Sequence, residues 1–370
     1  MHSFRLVLII ATFLLIMVAP ATALPTQEDL QQKVDDARKE AGLVALGAVV
    51  ANSEGEILGL AVSGERRKGS ADPALPEDAW HIGSNTKMLT ALLYGRLVEQ
   101  GEAEWGATLP ELLPDLADGM DPAWTNITIE HLLAHRSGLR ANPGTLWFMM
   151  ARSSKEDAKS QRTSLAEGFL AEPPSGTPGK FEYSNLGYMI VGAVLDRIAM
   201  RLGEQDYESL LLTRLVPDRE GWGFGPPPEG IEGHAEGFFG LKPRGKGLGA
   251  DNPPALAPAG TLHVPLAAHA RFLSDFLAKD DTEAKLLRPF PDTSSDYALG
   301  WIVDTVPDFG TVYAHNGSNT MWTSSVRVFP DDGLVVIVNS NSYSKDAAAA
   351  IVALNFQLAR LYAEESPPEQ

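Results

Sequence analysis

Residues 84–101 read SNTKMLTALLYGRLVEQG, a serine and a lysine three positions apart followed by an apolar helix pattern. Met88, Leu89, Leu92, Leu93 and Leu97 recur at helical spacing, Ser84 is a good N-cap residue and Gly101 stands where the pattern stops. The stretch predicts a helix whose first turn carries Ser84 and Lys87 on one face. A serine hydroxyl is a weak nucleophile until a base takes its proton, and a lysine desolvated among apolar groups has the lowered pKa that this task needs. The partial positive charge of a helix N-terminus also favours a developing oxyanion. The spacing recurs in Ser342-Tyr343-Ser344-Lys345, but Ser342 follows a predicted strand in a polar loop, whereas Ser84 opens an amphipathic helix.

Working outward, Gln27 to Ala41 is an amphipathic helix pattern that Gly42 ends, Leu43 to Ala51 reads as a strand, and Ile57 to Val62 completes a hairpin. Gly101 to Leu248 looks helical and loop-rich, with helix patterns at Ile129 to Ala134 and Leu186 to Leu202. Tyr297 to Asp304, Val312 to Asn316, Thr323 to Phe329 and Leu334 to Asn339 are strand-like, and Lys345 to Tyr362 is a closing helix. The order predicts an α/β (α+β) fold: one antiparallel sheet from both chain ends, flanked by helices, with a mainly helical insertion. The α/β part covers about 24–83 and 255–366 and the helical part about 84–254.

Two further stretches add chemistry. Tyr183-Ser184-Asn185 opens a second helix and is the only Tyr-x-Asn among the eight tyrosines. A phenol there can relay a proton, and the Asn185 amide can hold the substrate and the lysine in register. His315-Asn316-Gly317-Ser318 ends a predicted strand, where a glycine lets a ligand lie close and the Ser318 N–H pairs with that of Ser84 as an oxyanion hole.

In this order, Ser-x-x-Lys, Tyr-x-Asn and His-x-Gly resemble the serine β-lactamase and penicillin-binding protein superfamily, nearest to class C β-lactamases and their esterase and D-peptidase relatives. Ile127-Thr128-Ile129-Glu130-His131-Leu132-Leu133-Ala134-His135-Arg136-Ser137-Gly138-Leu139 is similar to the helix and turn that the family carries between its first two motifs. The resemblance spans about Leu43 to Asn339 and implies a β-lactamase/transpeptidase-like fold. It implies that Ser84 is acylated, that Lys87 and Tyr183 share the proton work, that Asn185 orients substrate, and that His315, Asn316, Gly317 and Ser318 form the facing wall. The departure is His315, where most β-lactamases and transpeptidases have a lysine. A largely neutral imidazole holds a substrate carboxylate poorly, so small esters, amides or D-amino-acid peptides are the implied substrates, with weak β-lactam hydrolysis. A non-catalytic protein that binds or senses cell-wall fragments in the same cleft is the alternative from a different class.

The remaining features set bounds. The formal net charge of -18 disfavours nucleic acid and anionic membrane surfaces as partners. His2 and Arg5 precede an apolar run from Leu6 to Ala19, then Pro20 and Ala21-Thr22-Ala23, the pattern of a secretory signal over residues 1–23. Cleavage after Ala23 leaves a mature chain that begins near Leu24 and carries one hydrolase domain over 24–366, with no stable membrane anchor, in a bacterial periplasm or secreted. With no cysteine, neither a disulfide nor lipid attachment through Cys is open to the chain. No cofactor is implied and no metal is expected. His131 and His135 are four apart but lack the glutamate of His-Glu-x-x-His, and no Gly-x-Ser-x-Gly elbow occurs. Trp322 is placed either in the substrate cleft or in the core.

Overall fold

The computed structural model describes residues 24–216, 220–238, 240–247, 249–278 and 281–363. The signal segment predicted over residues 1–23 lies outside them. The strands are β1 Ala45–Asn52, β2 Ile57–Gly64, β3 Ala79–His81, β4 Gly223–Phe224, β5 His234–Gly237, β6 Gly240–Pro243, β7 Leu262–Pro265, β8 Ile302–Val306, β9 Gly310–Ser318, β10 Thr323–Phe329 and β11 Leu334–Ser340. Six of them form the antiparallel sheet expected from both chain ends, in the order β2-β1-β11-β10-β9-β8.

Both faces of this sheet are covered, which is why β1 and β11 read as unbroken apolar runs and not as alternating ones. Leu46, Ala48, Val50, Val336 and Val338 pack with Leu30 and Val34 of helix Gln27–Glu40 and with Ile351, Leu354 and Leu358 of helix Lys345–Ala363. Ala45, Val49, Val326 and Ile337 face the other way, into the core shared with Trp80, Leu273 and Phe276.

The helix after the Ser-x-x-Lys stretch differs from its reading. It spans Thr86–Glu99, and Thr86 to Gly95 are all buried, so only its last turn, from Arg96, reaches solvent. It runs through the middle of the protein, between helices Asn185–Arg201, Tyr207–Leu215 and Asp281–Leu287. The strand read at Tyr297 to Asp304 is a tight reversal followed by β8: Ala298 N–H bonds the Trp301 carbonyl, and Tyr297 bridges Ile302. Among the described residues no helix is long and apolar enough to cross a membrane.

Candidate active site

Strand β3 leads into a 3-10 turn, Gly83–Asn85, and from there into the helix Thr86–Glu99. Ser84 is therefore not the N-cap that its sequence suggests. It sits inside the turn, and no side chain caps the helix. The difference matters, because a capping hydroxyl is occupied by backbone N–H groups. Among His81 to Thr90 only Ser84 is partly exposed; its neighbours are buried.

Lys87 is completely buried, and burial alone holds its ammonium pKa well below the ordinary lysine value. Its Nζ meets three oxygens: the Ala259 carbonyl at 2.6 Å, Asn185 Oδ1 at 2.8 Å and Ser84 Oγ at 3.1 Å. A neutral amine has two N–H donors and one lone pair. The Ala259 carbonyl and Asn185 Oδ1 can only accept, so they take the two donors, and the lone pair is left facing the Ser84 hydroxyl.

Desolvation raises the Tyr183 phenol pKa to about 12, and the neighbouring Ser84 hydroxyl acts on it in the opposite sense. The Lys87 ammonium position lies 4.9 Å from the Tyr183 ring centroid. Ser184 caps the helix Asn185–Arg201 by accepting the Gly187 N–H at 2.9 Å, which leaves Asn185 free to bridge Lys87 and Asn142 Oδ1, the latter at 2.9 Å. Alcohol, amine and phenol, split between two regions of the sequence, thus converge on one point.

The end of β9 forms the opposite wall. Gly83 has φ +53, a left-handed backbone, and a Cβ there would collide with Ser318 N. A Cβ at Gly317 would collide with the Ile82 carbonyl and stand 3.0 Å from Ser84 N. These two glycines let the Ser84 turn lie directly against β9, so the Ser84 and Ser318 amides belong to touching segments.

Two members of the predicted wall are corrected. The His315 ring is only 2% exposed and is buried beneath the tyrosines. Its Nε2 lies 3.2 Å from Tyr297 Oη, and its Nδ1 lies 3.2 Å from Asn85 Oδ1 and 3.0 Å from the Asn316 carbonyl. Burial and the neighbouring Lys87 push its pKa down to about 3, so it is neutral. Asn316 points to the far face of the sheet, because side chains alternate along a strand. There its Oδ1 accepts from Ser325 Oγ at 3.0 Å and Arg327 Nη1 at 3.1 Å, and Arg327 lies over the Phe356 ring of the terminal helix.

Other sequence readings resolve in the same way. Trp322 is core and not cleft, with its ring against Trp80 and His81. His131 Nδ1 contacts the Thr128 hydroxyl at 2.9 Å, whereas His135 stacks 4.2 Å from the Tyr183 ring centroid and accepts the Ser184 N–H at 3.0 Å, so the two imidazoles share no site. Among the described residues no group of three or more His, Cys, Asp or Glu could hold a metal. Sequence reasoning missed Asn142, Tyr297 and the Ala259 carbonyl. A backbone oxygen leaves no mark in residue identity, and the other two become neighbours only through the fold.

The profile of the Beta-lactamase family matches residues 30–359. Esterase EstB of Burkholderia gladioli is 33% identical over 181 residues, which is 44% of this chain and 43% of the esterase, less than half of that relative. Penicillin-binding protein 4 of Amycolatopsis lactamdurans is 26% identical over 305 residues, 75% of this chain and 76% of that protein. The structure of a D-stereospecific amidohydrolase from Streptomyces sp. matches with a TM-score of 0.69 at 19% identity, over 90% of this chain and 99% of that one. D-amino acid amidase from Ochrobactrum anthropi SV3 matches at 0.68 and 19%, over 90% and 96%. At such identities the two structures speak for the fold alone. The profile match, in contrast, encloses the whole six-stranded sheet and the insertion between its halves, and on that extent the chain belongs to the Beta-lactamase family.

Proposed function

We propose that this protein is an exported serine hydrolase that forms an acyl-enzyme at Ser84 on small esters, amides or D-amino-acid peptides. The observation that carries this reading is the Lys87 environment: a fully buried amine, with two acceptors holding its N–H groups, 3.1 Å from a partly exposed serine hydroxyl.

In acylation the Ser84 proton passes to the Lys87 lone pair as Ser84 Oγ bonds the substrate carbonyl carbon. The carbonyl oxygen becomes an oxyanion against the Ser84 and Ser318 N–H groups. Tyr183, protonated because its pKa is near 12, delivers a proton to the leaving oxygen or nitrogen and recovers one from Lys87 as the carbon–leaving-group bond breaks. Water then attacks the acyl-enzyme by the same route in reverse. Tyr183 cannot be the resting base, since its phenolate is rare five pH units below its pKa, so Lys87 takes that role.

The buried, neutral His315 gives the wall no cation for a substrate carboxylate, which supports uncharged esters and amides over β-lactams. Two of the similar proteins, an esterase and a D-amino acid amidase, agree with that choice. Export rests on the residue 1–23 pattern.

Intact-mass spectrometry after fluorophosphonate treatment checks the nucleophile. One label should appear on the wild type and none on Ser84→Ala, with nitrophenyl butyrate turnover falling on the order of 10⁴-fold or more. Labelling that survives the substitution sinks the reading. An unreactive wild type that binds peptidoglycan fragments tightly would favour a sensor.

A further inference from the structure

A second polar cluster lies behind the nucleophile turn and takes no part in the proton transfers above. His81, fully buried at the end of β3, accepts the Gly83 N–H on Nδ1 at 3.1 Å. That bond assigns the ring proton to Nε2, which faces Asp251 Oδ2 at 2.8 Å. The other carboxylate oxygen, Asp251 Oδ1, accepts from Asn319 Nδ2 at 2.8 Å and from the Asn252 N–H at 2.7 Å. Asn319 follows Ser318 directly, and its own Oδ1 accepts the N–H groups of Met321 at 3.2 Å and Trp322 at 3.1 Å. The Trp322 ring stacks on His81 at a centroid distance of 6.2 Å. His81, Asp251 and Asn319 are all buried.

One carboxylate therefore joins two segments far apart in sequence. The first ends at Gly83, whose amide is held by His81 and precedes that of Ser84. The second runs from Ser318 into the turn that Asn319 braces. We propose that Asp251 is a positioning residue that sets, through His81 on one side and Asn319 on the other, the spacing of the two N–H groups that receive the substrate oxyanion. The inference rests on the hydrolase reading above and adds to it which residues preorganise the oxyanion hole.

The chemistry requires a carboxylate at this point. Three donors converge on Asp251, and an acid anion offers acceptors in every direction. Asparagine is nearly the same shape but turns one amide N–H toward either His81 or Asn319, leaving a buried donor facing a donor. The mismatch is relieved by moving one segment, and small displacements at a reacting centre are costly because donors must meet the oxyanion at hydrogen-bond distance.

The test compares a nitrophenyl ester with its thionoester, whose larger sulfur draws little from amides arranged for oxygen. Asp251→Asn should lower kcat on the ester by about 10- to 100-fold with KM held within about twofold. The ester-to-thionoester rate ratio should fall with it, while the circular dichroism spectrum and melting curve still report a folded protein. A ratio equal to that of the wild type, whatever happens to the ester rate, overturns the proposal, because a general structural defect slows both substrates alike. If Asp251→Asn does not fold, His81→Asn serves: it keeps an acceptor near the Gly83 N–H and cuts the link to Asp251. The ratio should drop in the same direction by a smaller factor, and an unchanged ratio is again decisive. A wild type without Ser84-dependent turnover removes the hydrolase reading and this inference together; an active wild type with an unmoved ratio removes this inference alone.

Discussion

The chain contains the Ser-x-x-Lys spacing twice, and the fold builds the two copies inside out from one another. At Ser84 the hydroxyl is partly exposed and the amine is sealed in the protein. At Ser342 the hydroxyl is sealed and the amine of Lys345 lies in solvent. Ser342 is not in the polar loop that its surroundings in the sequence suggest. Its Oγ accepts the Val44 N–H at 3.2 Å and its carbonyl accepts the Thr323 hydroxyl at 2.7 Å, so it staples the end of β11 to the start of β1. In the same stretch Ser344 caps the terminal helix through the Ala347 N–H at 3.0 Å. Spacing makes neighbours; burial of the amine and exposure of the alcohol make a nucleophile.

The sharpest way to break this contrast is to remove each amine. Lys87→Met should reduce nitrophenyl ester turnover by about 10³-fold, the scale of a lost general base, whereas Lys345→Met should leave it within experimental error. Equal losses in the two variants would show that the buried amine has no special part in the reaction.

The pH–rate profile sharpens it next. The base works only without its proton, so kcat/KM rises with pH as Lys87 deprotonates, and burial places that rise well below the ordinary lysine range. The phenol must keep its proton, so loss of activity through Tyr183 is deferred to about pH 12. A profile that rises only near the ordinary lysine pKa would mean that Lys87 is hydrated in solution.

The smallest effect belongs to the second copy. Ser342→Ala leaves the buried Val44 N–H without its partner, at a cost of about 1–3 kcal/mol, or a fall in Tm of several degrees. Turnover per folded molecule should not change. Measuring both quantities separates the staple from the nucleophile.

Much of the architecture was legible because it follows from local pattern. Apolar runs with turn residues between them marked β1, β10 and β11, and helical spacing marked both terminal helices. Less was legible at the site. Ser84 looks like a helix cap in one dimension, and nothing local reveals that the chain enters the helix through a 3-10 turn. The direction of His315 and Asn316 was open for a related reason: strand alternation assigns them to opposite faces but does not say which face holds the nucleophile. His81, Asp251 and Asn319 are scattered over the chain, and only folding makes them neighbours.

Residue order alone therefore determined which side chains are chemically able to act and which elements carry them, because hydroxyl, amine, phenol and hydrophobic period are properties of residues and their near neighbours. Tertiary structure decided which of the two Ser-x-x-Lys copies sets a partly exposed hydroxyl beside a buried amine whose charged form desolvation disfavours. Desolvation is a property of everything packed around a group, and that environment is assembled from positions far apart in the chain.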